Sequence, residues 1–69
     1  MNRDNVVSSN INSIGYDSAT KTLEIEFHSG GTYQYYDVPE SEYNGLMAAS
    51  SHGSYFHANI KNRYTYKKI

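Results

Sequence analysis

The sequence predicts an α+β domain: an antiparallel β-meander, then two short helices packed on one sheet face, then a C-terminal strand, in the order β-β-β-α-α-β. Three observations predict it. Thr22 to His28 alternates, with Leu23, Ile25 and Phe27 on one side and Glu24, Glu26 and His28 on the other, which is the period of a half-buried strand. Gly30-Gly31 separates this run from a second one, Thr32 to Val38, and supplies the positive φ that a tight hairpin needs. Beyond Pro39, residues Tyr43, Leu46 and Met47 fall at i, i+3 and i+4, one face of a helix.

The elements follow in chain order. Residues 1–69 read as one domain, with 1–5 a flexible lead-in and the polar stretch running on to Ser9. Asn10 to Tyr16 is an extended strand that places Ile14 and Tyr16 on one side and Ile11 on the other. Asp17 to Lys21 is turn chemistry, since Asp and Ser bond their own neighbouring backbone. As a two-residue turn, Gly30-Gly31 pairs His28 with Tyr33, Glu26 with Tyr35, Ile25 with Tyr36 and Leu23 with Val38. Tyr36 and Val38 then join the apolar side. Tyr33, Tyr35 and Asp37 face outward with Glu24, Glu26 and His28, and a one-residue slip would reverse these faces. Pro39 opens the first helix, with Glu40 and Glu42 near the positive end of its dipole. Ser50 or Ser51 caps a second helix, roughly His52 to Asn62, in which Phe56 and Ile60 stand one turn apart. Tyr64 to Ile69 alternates again and makes the last strand.

Leu, Ile, Val and Phe together number only twelve of the 69 residues, under the roughly one-fifth below which order is in doubt when net charge is also high. Net charge is −1, and eight tyrosines add apolar area, so the domain is ordered with some tyrosine rings in its core. The absence of cysteine excludes a disulfide or a thiolate site. No apolar run approaches the roughly 18 residues of a membrane span, and the expected location is the cytosol. Charge is unevenly distributed. Residues 1–42 carry seven acids against Arg3 and Lys21, whereas residues 43–69 carry Lys61, Arg63, Lys67 and Lys68 with no acid.

That asymmetry has two readings. In one, exposed Tyr33 and Tyr35 stack on unpaired bases of RNA or single-stranded nucleic acid. Tyr64 and Tyr66 support them, and Lys61, Arg63, Lys67 and Lys68 meet phosphates. The start of the second helix, at Ser51, Gly53 and Ser54, then offers an anion contact. Glu24, Glu26 and Asp37 on the same proposed face oppose this, as does a pI of about 6.2. In the other reading, the C-terminal strand brings Arg63, Lys67 or Lys68 beside those acids, making an ordinary sheet surface. A protein partner or a homo-oligomer is the alternative function, because a thinly cored domain with an edge strand gains from further burial. No catalytic residue and no cofactor is expected. Ser50 to Ser54 places serines next to His52, but proximity in sequence does not make a triad. His52 and His57 are five apart, on different helix faces, which does not suit a shared metal.

A further pattern runs through the chain in order. It comprises Ser8-Ser9 with Ile11, Ile14-Gly15-Tyr16-Asp17, Leu23-x-Ile25-x-Phe27, Gly31-x-Tyr33-x-Tyr35-Tyr36-x-Val38-Pro39, and Ala49-x-Ser51-x-Gly53-Ser54-Tyr55-Phe56. Ile60 and Tyr64-x-Tyr66 close it. Over roughly residues 6–69 this resembles the KTSC domain, found at the C-terminus of some lysyl-tRNA synthetases and also as a small single-domain protein. The resemblance implies the single-domain form and, through the synthetase attachment, RNA binding. It carries over no catalytic motif.

Overall fold

A computed structural model describes residues 1–69. The strands are β1 (Arg3–Asn5), β2 (Ile11–Asp17), β3 (Thr22–Phe27), β4 (Gly31–Tyr35) and β5 (Tyr66–Lys68); the helices are α1 (Glu40–Ala48) and α2 (His52–Asn59). All five strands pair antiparallel in the order β1-β2-β3-β4-β5, and both helices lie in the connection from β4 to β5. The architecture is the expected α+β one with an added first strand. Arg3–Asn5, read as part of the lead-in, pairs with Ser13–Gly15 of β2. A polar strand at a sheet edge carries no hydrophobic alternation to reveal it.

The β2–β3 hairpin turns as expected, with the Ala19 N–H donating to Asp17 Oδ1 at 3.0 Å. In β2, Ile11 pairs with Phe27 and Ser13 with Glu26, leaving Asn12 as an extra residue. This bulge corrects the simple alternation: Ile11 shares the inward face of Ile14, and both are fully buried.

The β3–β4 hairpin departs further. Leu23 pairs with Tyr35, Ile25 with Tyr33 and Phe27 with Gly31. The loop is therefore His28, Ser29 and Gly30, closed by Gly30 N–H donating to Phe27 O at 3.0 Å. Gly30, with φ 103°, takes the left-handed position that ends a three-residue loop; Gly31 is already strand. The register differs from the two-residue expectation by an odd number, so every face on β4 reverses. Tyr33 and Tyr35 point inward over Ile25 and Leu23, while Tyr36 points outward and donates to Gln34 Oε1 at 3.1 Å. Val38 still reaches the core, because Asp37 adopts φ 58° and turns the chain back so that Val38 N–H meets Lys21 O.

One core joins Ile11, Ile14, Leu23, Ile25 and Tyr35 of the sheet to Val38, Leu46, Phe56 and Ile60. Tyr43 of α1 stacks on Tyr16 at 4.8 Å, and Tyr16 Oη donates to Val38 O. Ser51 caps α2 by accepting from Ser54 N–H at 3.2 Å. The helices lean together at Gly45, where Tyr55 crosses from α2 and donates to Glu42 Oε2 at 2.7 Å.

Two outcomes test this packing. A Cβ at position 45 would stand 2.9 Å from Tyr55 Cζ. Gly→Ala in an open helix gains about 1 kcal/mol, but Gly45→Ala should cost about 1–3 kcal/mol through overlap. In a Tyr55→Ala background the same change should stabilise; denaturant unfolding of the four proteins reads the sign. The second outcome concerns pH. Burial, then the neighbouring Tyr66 and Tyr33, pushes the Tyr35 phenol up to about 12 from its usual 10.0. The unfolded chain loses this proton first, so the associated stability is complete below pH 10 and lost as pH rises toward 12. Tyr35→Phe should flatten that alkaline decline, and an unchanged slope would assign it to other tyrosines.

Candidate functional site

The inward turn of Tyr33 and Tyr35 corrects the expectation of an outer tyrosine platform and builds something else. On the helix side, a groove of about 510 Å³ opens between the β3–β4 hairpin, β5 and α2. Its floor is a closed circuit of rings: Phe27 meets Tyr33 at 5.7 Å, Tyr33 meets Tyr66 at 6.0 Å, and Tyr66 meets Tyr35 at 5.5 Å. Tyr35 meets Phe56 at 5.4 Å, and Phe56 returns to Phe27 at 5.4 Å. Neighbouring rings lie edge-on or tilted, as their quadrupoles prefer. Strand pairing sets Tyr66 opposite Tyr35, so the buried ring supports the exposed one: Tyr35 is 4% exposed and Tyr66 60%.

The rim is basic and polar. His28 comes from the hairpin loop, where its Nε2 lies 2.9 Å from Ser8 O; His57 comes from α2, and Lys61 follows it. Asn10 and Asn62 contribute amides, and no aspartate or glutamate lines the groove. Lys68 pairs with Tyr33 on the same side of the sheet. Thus Tyr33, Tyr35, Lys61, Tyr66 and Gly53 of the sequence candidates converge here, with Lys68 beside them.

The remaining candidates do not. Lys67 aligns with Gln34 on the opposite sheet face. Tyr64 Oη donates to Glu42 Oε1 at 3.3 Å on the α1 side, with Arg63 next to it in sequence. The Ser51 hydroxyl and the Ser54 N–H are occupied by each other. Of the three helix-start candidates only Gly53, already counted, lines the groove, next to Asn10.

Glu24 and Glu26 lie on the far face, where they are neutralised from an unexpected direction. Arg3 of β1, not a C-terminal cation, pairs with Glu24 and, at 3.8 Å, with Glu26. Gln34 Nε2 adds a hydrogen bond to Glu24 Oε1 at 2.9 Å. Hydrogen bonds from Asn12 and then Ser13 hold the Glu26 carboxyl below the usual carboxylate range, with Arg3 adding to them. Sequence reasoning missed Phe27, Phe56, His28 and His57 as site residues. No local signal identifies them, since either glycine of Gly30-Gly31 can serve as the bend and the parity of that hairpin decides the side on which β4 meets α2.

His52 Nδ1 lies 2.8 Å from Leu46 O while His57 lines the groove, so the two histidines serve different surroundings. No group of three or more His, Asp or Glu side chains is arranged to hold a metal ion. No helix is long and apolar enough to cross a membrane.

A lysine–tRNA ligase of Trichormus variabilis is 43% identical over 54 residues, which are 78% of this chain and 10% of that protein. The chain thus spans about a tenth of the length of that ligase. A protein of Tsukamurella paurometabola is 41% identical over 86% of this chain and 88% of its own length. The crystal structure of a KTSC domain protein from Yersinia pestis superposes with a TM-score of 0.97 at 46% identity, covering 99% of this chain and 96% of that one. The family model for the KTSC domain matches residues 7–64. With that match and a near-complete superposition in hand, the chain belongs to the KTSC domain family.

Proposed function

We propose that this domain is a non-enzymatic binding module of the cytosol that takes single-stranded nucleic acid, RNA foremost, in the aromatic groove. The observation that carries the proposal is the groove's composition: an exposed Tyr66 and a half-buried Tyr33 beside His28, His57 and Lys61, without a carboxylate. An unpaired base offers a π-face to such rings at about 1–3 kcal/mol per base, and the Lys61 ammonium attracts its phosphate. The objection raised by Glu24 and Glu26 falls away, since they share the opposite face with Arg3. The related segment in a lysine–tRNA ligase, a protein that by its name acts on a tRNA, points the same way. Binding is favoured over catalysis because none of the three histidine rings hydrogen-bonds a serine, threonine or tyrosine hydroxyl that it could activate.

A second reading has its own observation. The β5 edge is unpaired and Tyr66 and Ile69 are exposed, which would admit a strand from a protein partner. Lys67 and Lys68 on that edge oppose pairing between two copies of the chain.

Titration of labelled single-stranded RNA and DNA at two salt concentrations tests the first reading. Affinity should fall with salt at a log–log slope of about −1, the release expected when one or two phosphates are met. Tyr66→Ala should weaken binding about tenfold, while Tyr36→Ala, on the other face, should leave it unchanged. Absence of binding at low salt, with a concentration-dependent mass, would favour the protein-partner reading instead.

A further inference from the structure

We infer that the groove seats one nucleotide unit, a single unpaired base with its attached phosphate, and does not track a run of single strand. The inference rests on the nucleic-acid reading above and narrows its ligand. Four features of the groove support it. Its volume of about 510 Å³ lies low in the range of about 300–1,000 Å³ typical of small-molecule pockets. Single-strand channels, in contrast, cover about 4–16 nucleotides per module.

The stacking surface is also small. Phe27, Tyr35 and Phe56 use their faces and edges on one another, which leaves Tyr66 and part of Tyr33 for a ligand. These two rings are inclined at 53° with centroids 6.0 Å apart. Successive stacked bases need surfaces that follow one another in parallel; two inclined rings make one concave seat.

Charge is equally limited. Lys61, with Lys68 beside Tyr33, can meet one phosphate. No basic track leads away, since Lys67 lies on the opposite face and Tyr64, next to Arg63, is bonded to Glu42. Finally, the groove margin at the start of α2 is tight: a Cβ on Gly53 would lie 3.2 Å from Asn10 Nδ2. The Asn10 and Asn62 amides then offer both donors and acceptors to a base edge.

The test is an NMR titration of the full chain with the four nucleoside 5′-monophosphates, the matching nucleosides, inorganic phosphate, and homo-oligonucleotides of increasing length. Monophosphates should shift Tyr33, Tyr66 and Lys61 resonances. Nucleosides should bind about tenfold more weakly, the loss of one charge-assisted contact. Oligonucleotide affinity should stop rising after about two or three units, apart from the statistical factor for equivalent positions. Lys61→Ala should reduce the preference for nucleotide over nucleoside and Lys61→Ala with Lys68→Ala should abolish it; both lysines are exposed, so the fold should survive. Affinity that climbs steadily through longer oligonucleotides while monophosphates produce no shift would overturn the single-unit seat and leave nucleic-acid binding standing. Silence from every ligand, oligonucleotides included, would overturn both.

Discussion

The loop of His28, Ser29 and Gly30 sets the register between β3 and β4, and every side chain on β4 and β5 takes its face from that register. Only glycine adopts φ 103° without steric cost, so this loop length is built into the backbone. Once Phe27 pairs with Gly31, alternation carries Tyr33 and Tyr35 under α2 and carries Gln34 and Tyr36 to the far side. Burying rings of this size contributes on the order of 1.5–3 kcal/mol each, a large share for a domain with so few aliphatic residues. The alternative register would bury Tyr36 in place of Tyr33 and Tyr35 together.

The same choice partitions charge. One face of the sheet gathers Glu24, Glu26, Arg3 and Gln34 into a hydrogen-bonded network. The other carries rings, imidazoles and a lysine. A protein whose formal net charge is −1 therefore holds a groove without acids. Net charge and pI describe long-range attraction; they say little about a cleft whose walls come from one side of the sheet.

Much of the fold was legible in the residues. The alternation of Leu23, Ile25 and Phe27, the spacing of Tyr43, Leu46 and Met47, and the Ser51 cap are local patterns tied to local backbone geometry. The bulge at Asn12 and the three-residue loop were not legible, because either of two adjacent glycines can serve as the bend and alternation survives a slip intact. β1 was hidden for another reason: its stabilising contact, Arg3 with Glu24, joins residues far apart in sequence. The candidate site was half legible. Its residue types were identified, yet the parity of one hairpin placed Tyr33 and Tyr35 on the wrong side and left out Phe27, Phe56 and both histidines of the rim.

Tyr66 reaches the groove on the shortest of supports. β5 is three residues long, exposed throughout, and joined to β4 across the whole helical segment. Its release would break a few ladder bonds and the ring contacts to Tyr33 and Tyr35, leaving the aliphatic core of β2 and β3 in place. Fraying of so small an element costs less than global unfolding. β5 is thus the element whose detachment would dismantle one wall of the cleft at the least cost to the core, and any ligand held in the cleft would oppose that detachment by linkage.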